Sequence, residues 1–166
     1  VKGGIEMRTA IWITLAILVA GYVVFAFATV DHNSDEAQIT AIVQKGTEAT
    51  QNRNPGSLIS VVSTNYKDEA GLNYDRLRLV LAQALRNETD FTVSTSIKNT
   101  RIKGDTATVQ LHVTIKRPLK GEVFYDRDLT MLLAKESGRH AMIIPVKVWR
   151  VTGSRNLGLG MDESGI

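Results

Sequence analysis

From Ala10 to Val30 the chain reads "AIWITLAILVAGYVVFAFATV" without one charged side chain, and from Asp31 onward acids and polar groups crowd in. As an α-helix rising 1.5 Å per residue, this stretch is roughly 31 Å long, the thickness of a bilayer's hydrocarbon core. A surface helix of a soluble domain carries a polar stripe, whereas only Thr14, Gly21 and Thr29 are scattered along this one. The pattern predicts a transmembrane helix over residues 10–30. Trp12 near one end and Tyr22 further in form a partial aromatic belt. Ala16, Ala20 and Gly21 offer small residues where another helix can approach closely. Lys2 and Arg8 precede the apolar run, and Asp31, Asp35 and Glu36 follow it. The positive-inside rule then places residues 1–9 in the cytoplasm and everything after Val30 outside, in the periplasm if the source is bacterial. The alternative is a secretory signal beginning at Met7, with Ala26-Phe27-Ala28 as a small-x-small cleavage site and Thr29 as the new start. Its apolar region is long for that role, so the reading is a retained single-pass anchor.

Beyond the apolar run the period is helical, then alternating. Ser34 is an N-cap candidate with acids in the first turn behind it, and Ile39, Ile42 and Val43 fall on one helix face. Asn54-Pro55-Gly56 breaks that helix. "GSLISVVSTNY" predicts a second, shorter helix with Leu58, Val61 and Val62 as its stripe, and "KDEAGLN" a turn. Asn73 caps a third helix, "YDRLRLVLAQALRN", whose wide apolar face holds Leu77, Val80, Leu81, Ala84 and Leu85. "FTVSTSIKNTRI" and "TATVQLHVTIKR" then alternate as strands joined at Lys103-Gly104-Asp105. Folding about Gly104 sets Val93 opposite Ile115, Thr95 opposite Val113 and Ile97 opposite Leu111, so the inward sets coincide. Thr92, Ser94, Ser96 and Lys98 face Lys116, Thr114, His112 and Gln110 on the wet side. After a turn at 118–121, "EVFYDRDLTMLLAKE" and "HAMIIPVKVWRVTG" give two longer strands around Ser137-Gly138-Arg139. Pro145 marks an edge or a bulge in the last.

The fold class is therefore α+β: one N-terminal transmembrane helix, then three helices packed on the concave face of a curved four-stranded antiparallel sheet. Residues 31–153 form that domain and 154–166 a Gly-rich tail. In the tail, Leu157, Leu159 and Met161 alternate as in an extended segment, and with Ile166 they suggest a strap that docks on a partner.

Composition removes several classes of function. With no cysteine, thiol nucleophiles, disulfides and thiolate metal sites are excluded. The formal net charge of +3 and the separation of the basic residues by the hairpin leave no phosphate-binding stripe, so no nucleic-acid partner is expected. Neither a P-loop, a GxGxxG nor a GxSxG is present, and no cofactor is expected.

A helical opening, "LISVVSTNYKDEAGLNYDRLRLVLAQAL" and four strands ending in "VKVWRV" resemble the nuclear transport factor 2-like superfamily, the cystatin-like α+β cone. The resemblance covers residues 34–153. It implies a cone in which enzymes of the superfamily, dehydratases and polyketide cyclases among them, place Asp, His or Tyr inside. Here His112 falls on the polar face with Gln110 and Thr114, away from the inward set. His32 and His140 have no ligand spacing. Tyr66, Asp68, Glu69 and Tyr74 cluster at the turn before the third helix. Tyr66, Asp68 and Tyr74 rim a pocket if a ligand binds, though a hydrated turn near a helix N-terminus is the plainer reading. Asp126 and Asp128 share a strand face, where Lys neighbours favour surface ion pairs.

The functional expectation is a non-enzymatic, membrane-anchored interaction domain. It would be an accessory or scaffold subunit of a larger membrane complex of energy-transducing or secretion type, with the bilayer and other membrane subunits as partners. In layout it resembles the bitopic scaffold protein of type IV secretion systems. The alternative is a small-ligand-binding or lyase/cyclase-like pocket protein of the same fold. The lining of the cone separates the two.

Overall fold

The computed structural model describes residues 3–29, 33–87, 90–117, 121–140 and 144–158, with side chains described for all of these except 3–13, 27, 87 and 140. The chain divides into two compact units. One is Val1–His32 with Ser137–Lys147, and the other is Asn33–Glu136 with Val148–Ile166.

In the first unit, helix α1 runs Gly3–Ala28. Leu15, Ile17, Leu18, Val19, Tyr22, Val24 and Phe25 are all exposed, and at 3.6 residues per turn they occupy most of the helix circumference. The exposed Ala16 and Ala20 fill the remaining side. Ala26 is buried, as is Ile144 in the strand segment of this unit. Among the described residues no helix is long and apolar enough to cross a membrane.

The second unit opens with α2, Asp35–Gln51, whose N-cap Ser34 side chain accepts from the Ala37 N–H. This satisfies one of the N–H groups that a helix start leaves unpaired. Asn54 caps α3, Pro55–Ile59, with Pro in the first turn. The Asn-Pro-Gly triplet is thus not only the end of α2 but also the start of the next helix, since proline's fixed φ and missing N–H suit a first turn. α3 is only five residues long, not the helix over 56–66 that the apolar spacing predicts. The chain instead turns extended and joins β4: Val62 bridges Val151 in parallel, Ser63 N–H donates to the Val151 carbonyl, and Lys67 N–H to that of Thr152. Backbone pairing with a strand edge overrides local spacing here. α4 runs Tyr74–Asn87, and the Asn73 side chain accepts from the Arg76 N–H at 3.0 Å.

Four strands follow, β1 Thr92–Lys103, β2 Thr106–Arg117, β3 Glu122–His140 and β4 Ile144–Arg155, in the spatial order β1-β2-β3-β4. β1 and β2 are antiparallel, with Val93 opposite Ile115, Thr95 opposite Val113 and Ile97 opposite Leu111, as the alternation requires. The match ends at Lys98, where a bulge shifts the register so that Gln110 faces Asn99 instead. Gly104 has φ +59°, the value a two-residue type II′ turn needs at its first position. β3 continues through Ser137-Gly138-Arg139 to His140, so these polar residues, read as a turn, are strand. β4, with Pro145, is an edge strand, and it ends at Arg155, two residues into the stretch read as tail.

α2 lies against β1 and α3, and α3 against α4. The core on the inner side of the sheet contains Ile39, Leu77, Val109, Leu111, Leu129, Leu133 and Trp149. Asp35 closes one corner, accepting from Lys135 Nζ at 2.9 Å and Trp149 Nε1 at 3.1 Å.

Candidate functional site: an apolar cavity in the cone

The inward faces of α2, α4 and the sheet do not meet everywhere. They leave a cavity of about 360 Å³ within the second unit, inside the range of small-molecule sites. Ile42, Val43, Thr47 and Thr50 come from α2, and Leu77, Leu81, Ala84 and Leu85 from α4. These positions recur at three and four residues, which is why one face of each helix meets the space. β2 contributes Leu111, Val113 and Ile115, and β3 contributes Phe124, Tyr125, Leu129 and Met131. Lys116 pairs with Val123 and Ile115 with Tyr125, so Phe124 is the extra residue of a bulge. The bulge breaks the alternation and lets Phe124 and Tyr125 both line the cavity.

Among the described residues no charged side chain and no histidine line the space. Its hydroxyls are engaged with protein partners. Thr47 Oγ1 donates to the Val43 carbonyl at 2.9 Å and meets Thr95 Oγ1 at 2.7 Å. Thr50 donates to the Gly46 carbonyl. Tyr66 OH and Ser154 Oγ are 2.7 Å apart, and Tyr125 OH donates to the Leu157 carbonyl at 2.8 Å. Burial pushes both phenols above the ordinary tyrosine range. For Tyr66 the bond to Ser154 acts against that and the Asp68 carboxylate adds to it; for Tyr125 nearby Arg127 acts against it. Both rings are therefore neutral at physiological pH.

Of the residues read as a rim, Tyr66 lies in the cavity wall and is 3% exposed. Asp68 is not part of the lining. It is buried and accepts from the Leu72 N–H at 2.7 Å, which closes the turn before α4. Tyr74 starts α4, half-buried against the core and outside the cavity wall. The turn is therefore partly core and not the hydrated loop that its acids suggest. Glu69 instead accepts from the Asn156 N–H at 2.8 Å, fastening the segment after β4. That segment takes positive φ at Asn156 (62°) and Gly158 (67°), and a Cβ on Gly158 would lie 2.9 Å from the Arg127 guanidinium carbon. Leu157 between them lines the cavity. Leu157, read as a residue held for a partner, packs on its own domain. Leu159, Met161 and Ile166 lie outside the described residues, as do His32 and the side chains of Trp12 and His140. Ala16, Ala20, Gly21 and Tyr22 are exposed on α1, with Gly21 about 100° round the helix from Ala20.

His112 is on the outer face of the sheet, in register with Ser96 and Asp128. Its Nδ1 lies 2.7 Å from Asp128 and its Nε2 2.8 Å from Asp126, and Lys98 Nζ reaches Asp128 at 2.7 Å. Lys98 first, and His112 second, hold the Asp128 carboxyl below its usual range. Asp126 and Asp128 thus share a face, within a surface network of ion pairs. Among the described residues no group of acids and histidines is placed to hold a metal.

Sequence reasoning missed Phe124, Thr47 and Ser154. For Phe124 the signal was present: "VFY" puts three large residues in a row where a one-sided strand alternates, and that run marks a bulge.

No protein-family model matches this chain, and no curated protein matches it either. Solved structures do. A Nostoc punctiforme domain of unknown function with a cystatin-like fold superposes with TM-score 0.60 at 13% identity, covering 75% of this chain and 76% of that one. A nuclear transport factor 2-like protein of unknown function from Shewanella oneidensis gives 0.55 at 16%, over 73% and 97%. A ketosteroid isomerase-like protein from Erwinia carotovora gives 0.51 at 16%, over 74% and 94%. The chain has the cystatin-like, nuclear transport factor 2-like fold. Likeness at this identity carries the fold and not a function.

Proposed function

We propose that the cone is a non-catalytic vessel for a small apolar molecule, held at a membrane surface by α1. The observation that carries this reading is the cavity itself, about 360 Å³ with no charged liner and its hydroxyls already bonded to protein. Apolar walls that face an unfilled space lose the packing contacts a filled core would give them, so a fold that keeps such a space has a use for its occupant. Catalysis has little support, because a general base must come within hydrogen-bond reach of substrate and the lining holds neither carboxylate nor imidazole.

The anchor is supported by the uncharged run from Ala10 to Val30, by the helix Gly3–Ala28 and by the large apolar side chains exposed around it. Exposed apolar surface on this scale is expected in lipid and not in water. The accompanying proposal of an accessory role in a membrane complex draws on the open side of α1. Ala16 and Ala20 are exposed there, and a Cβ added at Gly21 meets nothing within 4 Å.

Titrating the full chain, delipidated and held in amphipol, with N-phenyl-1-naphthylamine, a neutral apolar fluorophore, tests the vessel. The expected result is a saturable blue-shifted component at one probe per chain above protein-free amphipol. A signal no different from protein-free amphipol removes the reading.

A further inference from the structure

We propose that the occupant of this cavity is the hydrocarbon chain of a membrane lipid, with the lipid's polar head left outside the mouth. The inference rests on the cone being a binding vessel and names what the vessel takes.

Three observations lead there. The first is the chemistry of the wall. Thr47, Thr95 and Tyr125 spend their hydroxyl protons on one another or on backbone carbonyls, and Tyr66 and Ser154 share one bond, so the wall keeps at most one hydroxyl proton, at the Tyr66–Ser154 pair, for an oxygen or nitrogen of a ligand. A polar group brought inside loses its water without replacement, which disfavours any ligand that must bury one. A carboxylate or ammonium fares worse, since no lining side chain carries a charge. Ligand sites that fix an orientation place a few polar groups among apolar ones. Here the polar groups of the lining are the hydroxyls of Thr47, Thr50, Thr95, Tyr66, Tyr125 and Ser154, each already bonded to a protein partner, so the wall favours an apolar group over a polar one.

The second is the shape of its exposure. Ala84 and Phe124 are exposed lining residues and mark the mouth. Leu77, Leu111, Leu129 and Val151 are buried lining residues at the other end of the scale. An apolar chain entering at Phe124 passes the Arg117 guanidinium, 5.1 Å from the Phe124 ring centroid, and then moves into a buried interior among uncharged side chains. A space of about 360 Å³ is in the range of small-molecule sites, room for the distal part of a hydrocarbon chain but not for a whole lipid.

The third is supply. The same polypeptide carries α1, a helix whose described surface is apolar on nearly every side. With that helix in a bilayer, the hydrocarbon chains present at the highest local concentration are those of the lipids themselves. An apolar wall on a polypeptide that carries its own apolar helix is suited to a hydrocarbon chain whose head stays in water.

Photolabelling of the full chain in phosphatidylcholine nanodiscs separates the outcomes. Three reagents are used in parallel: phosphatidylcholine with a diazirine at the chain end, the same lipid with the diazirine next to the head, and 3-trifluoromethyl-3-phenyldiazirine as a compact neutral apolar probe. Labelled residues are mapped by peptide mass spectrometry, with labelling of α1 as the internal standard. The chain-end reagent is expected on Leu81, Leu111 or Val113, and the head-side reagent at the rim on Ala84 or Phe124. In Val113→Phe, which fills the space, chain-end labelling of the cone should fall at least tenfold while α1 labelling stays unchanged. Labelling of the cavity by the compact probe but by neither lipid overturns the chain and leaves the vessel standing. Head-side labelling at Leu77 or Leu129 also overturns the proposal, because the head then enters. Absence of cone labelling by all three reagents removes the chain and the vessel together.

Discussion

Filling the cavity should stabilise the protein, whereas the same change in a packed core should destabilise it. Val113 faces the space from the middle of β2, between Leu111 and Ile115. Val113→Phe adds about four carbon atoms, which at ~0.8 kcal/mol per buried methylene gives a gain of up to about 3 kcal/mol. Rotamer ordering reduces that, so about 1–2 kcal/mol is the realistic gain. For a domain of this size each kcal/mol moves the midpoint by roughly 2–8 °C. Val109 is the control. It lies two pairs along the same inward face, is 0% exposed and does not line the cavity. Val109→Phe must push into packed neighbours at about 1–3 kcal/mol. Near-UV circular dichroism melts of both variants and the parent, delipidated and held in amphipol so that no lipid chain fills the parent's space, give the comparison. The rise in Val113→Phe should shrink when the parent is saturated with the apolar probe, since ligand bound to the native state raises the parent's midpoint by mass action. If Val113→Phe melts below the parent by as much as Val109→Phe does, the space is not there and the reasoning fails.

Further tests concern the segments that frame the cavity. Gly153→Ala would place a Cβ 2.8 Å from the Lys67 carbonyl oxygen, and because that atom is backbone the cost should exceed about 1 kcal/mol in urea unfolding. Truncation after Arg155 removes Leu157 and the acceptor of Tyr125 OH; the sheet should still fold, but probe affinity should fall several-fold, and unchanged affinity would mean that the segment is no part of the site. Asp35 is held below the usual carboxylate range by Lys135 first and Trp149 second. Its contribution is therefore present above the unfolded value of about 3.9 and lost as pH falls through the lower folded one, so the gap in urea midpoint between parent and Asp35→Asn should be wide at pH 6 and close at strongly acidic pH. Mass spectrometry of the native chain should find α1 retained, and an N-terminus at Thr29 would return a secreted domain.

The β1–β2 register was legible because two one-sided strands can satisfy their inward sets in only one alignment. Lys98 escaped it, although Ile97 and Ile102 stand an odd number of positions apart and so mark a bulge between them. The helix over 56–66 was misread for a related reason. Leu58, Val61 and Val62 do share an inward side, but Val62 reaches it from an extended segment paired with Val151, and spacing alone does not tell the two apart. β3 passes through Ser137-Gly138-Arg139, although Ser137 and Gly138 are residue types that by themselves favour a turn. The cavity was not legible at all. Its wall residues read individually as core, and whether facing surfaces meet depends on distances between elements that no local pattern encodes. Tyr66 stood out in sequence for its neighbours Asp68 and Glu69, although its place in the wall follows from Ser154, 88 positions away.

Native mass spectrometry of the full chain released from nanodiscs tests most directly whether the cone holds an apolar molecule. The account expects a population carrying one additional mass that matches a bilayer lipid, strongly depleted in Val113→Phe released under the same conditions. A chain found only at its own mass, or an adduct equally abundant in parent and variant, would contradict it.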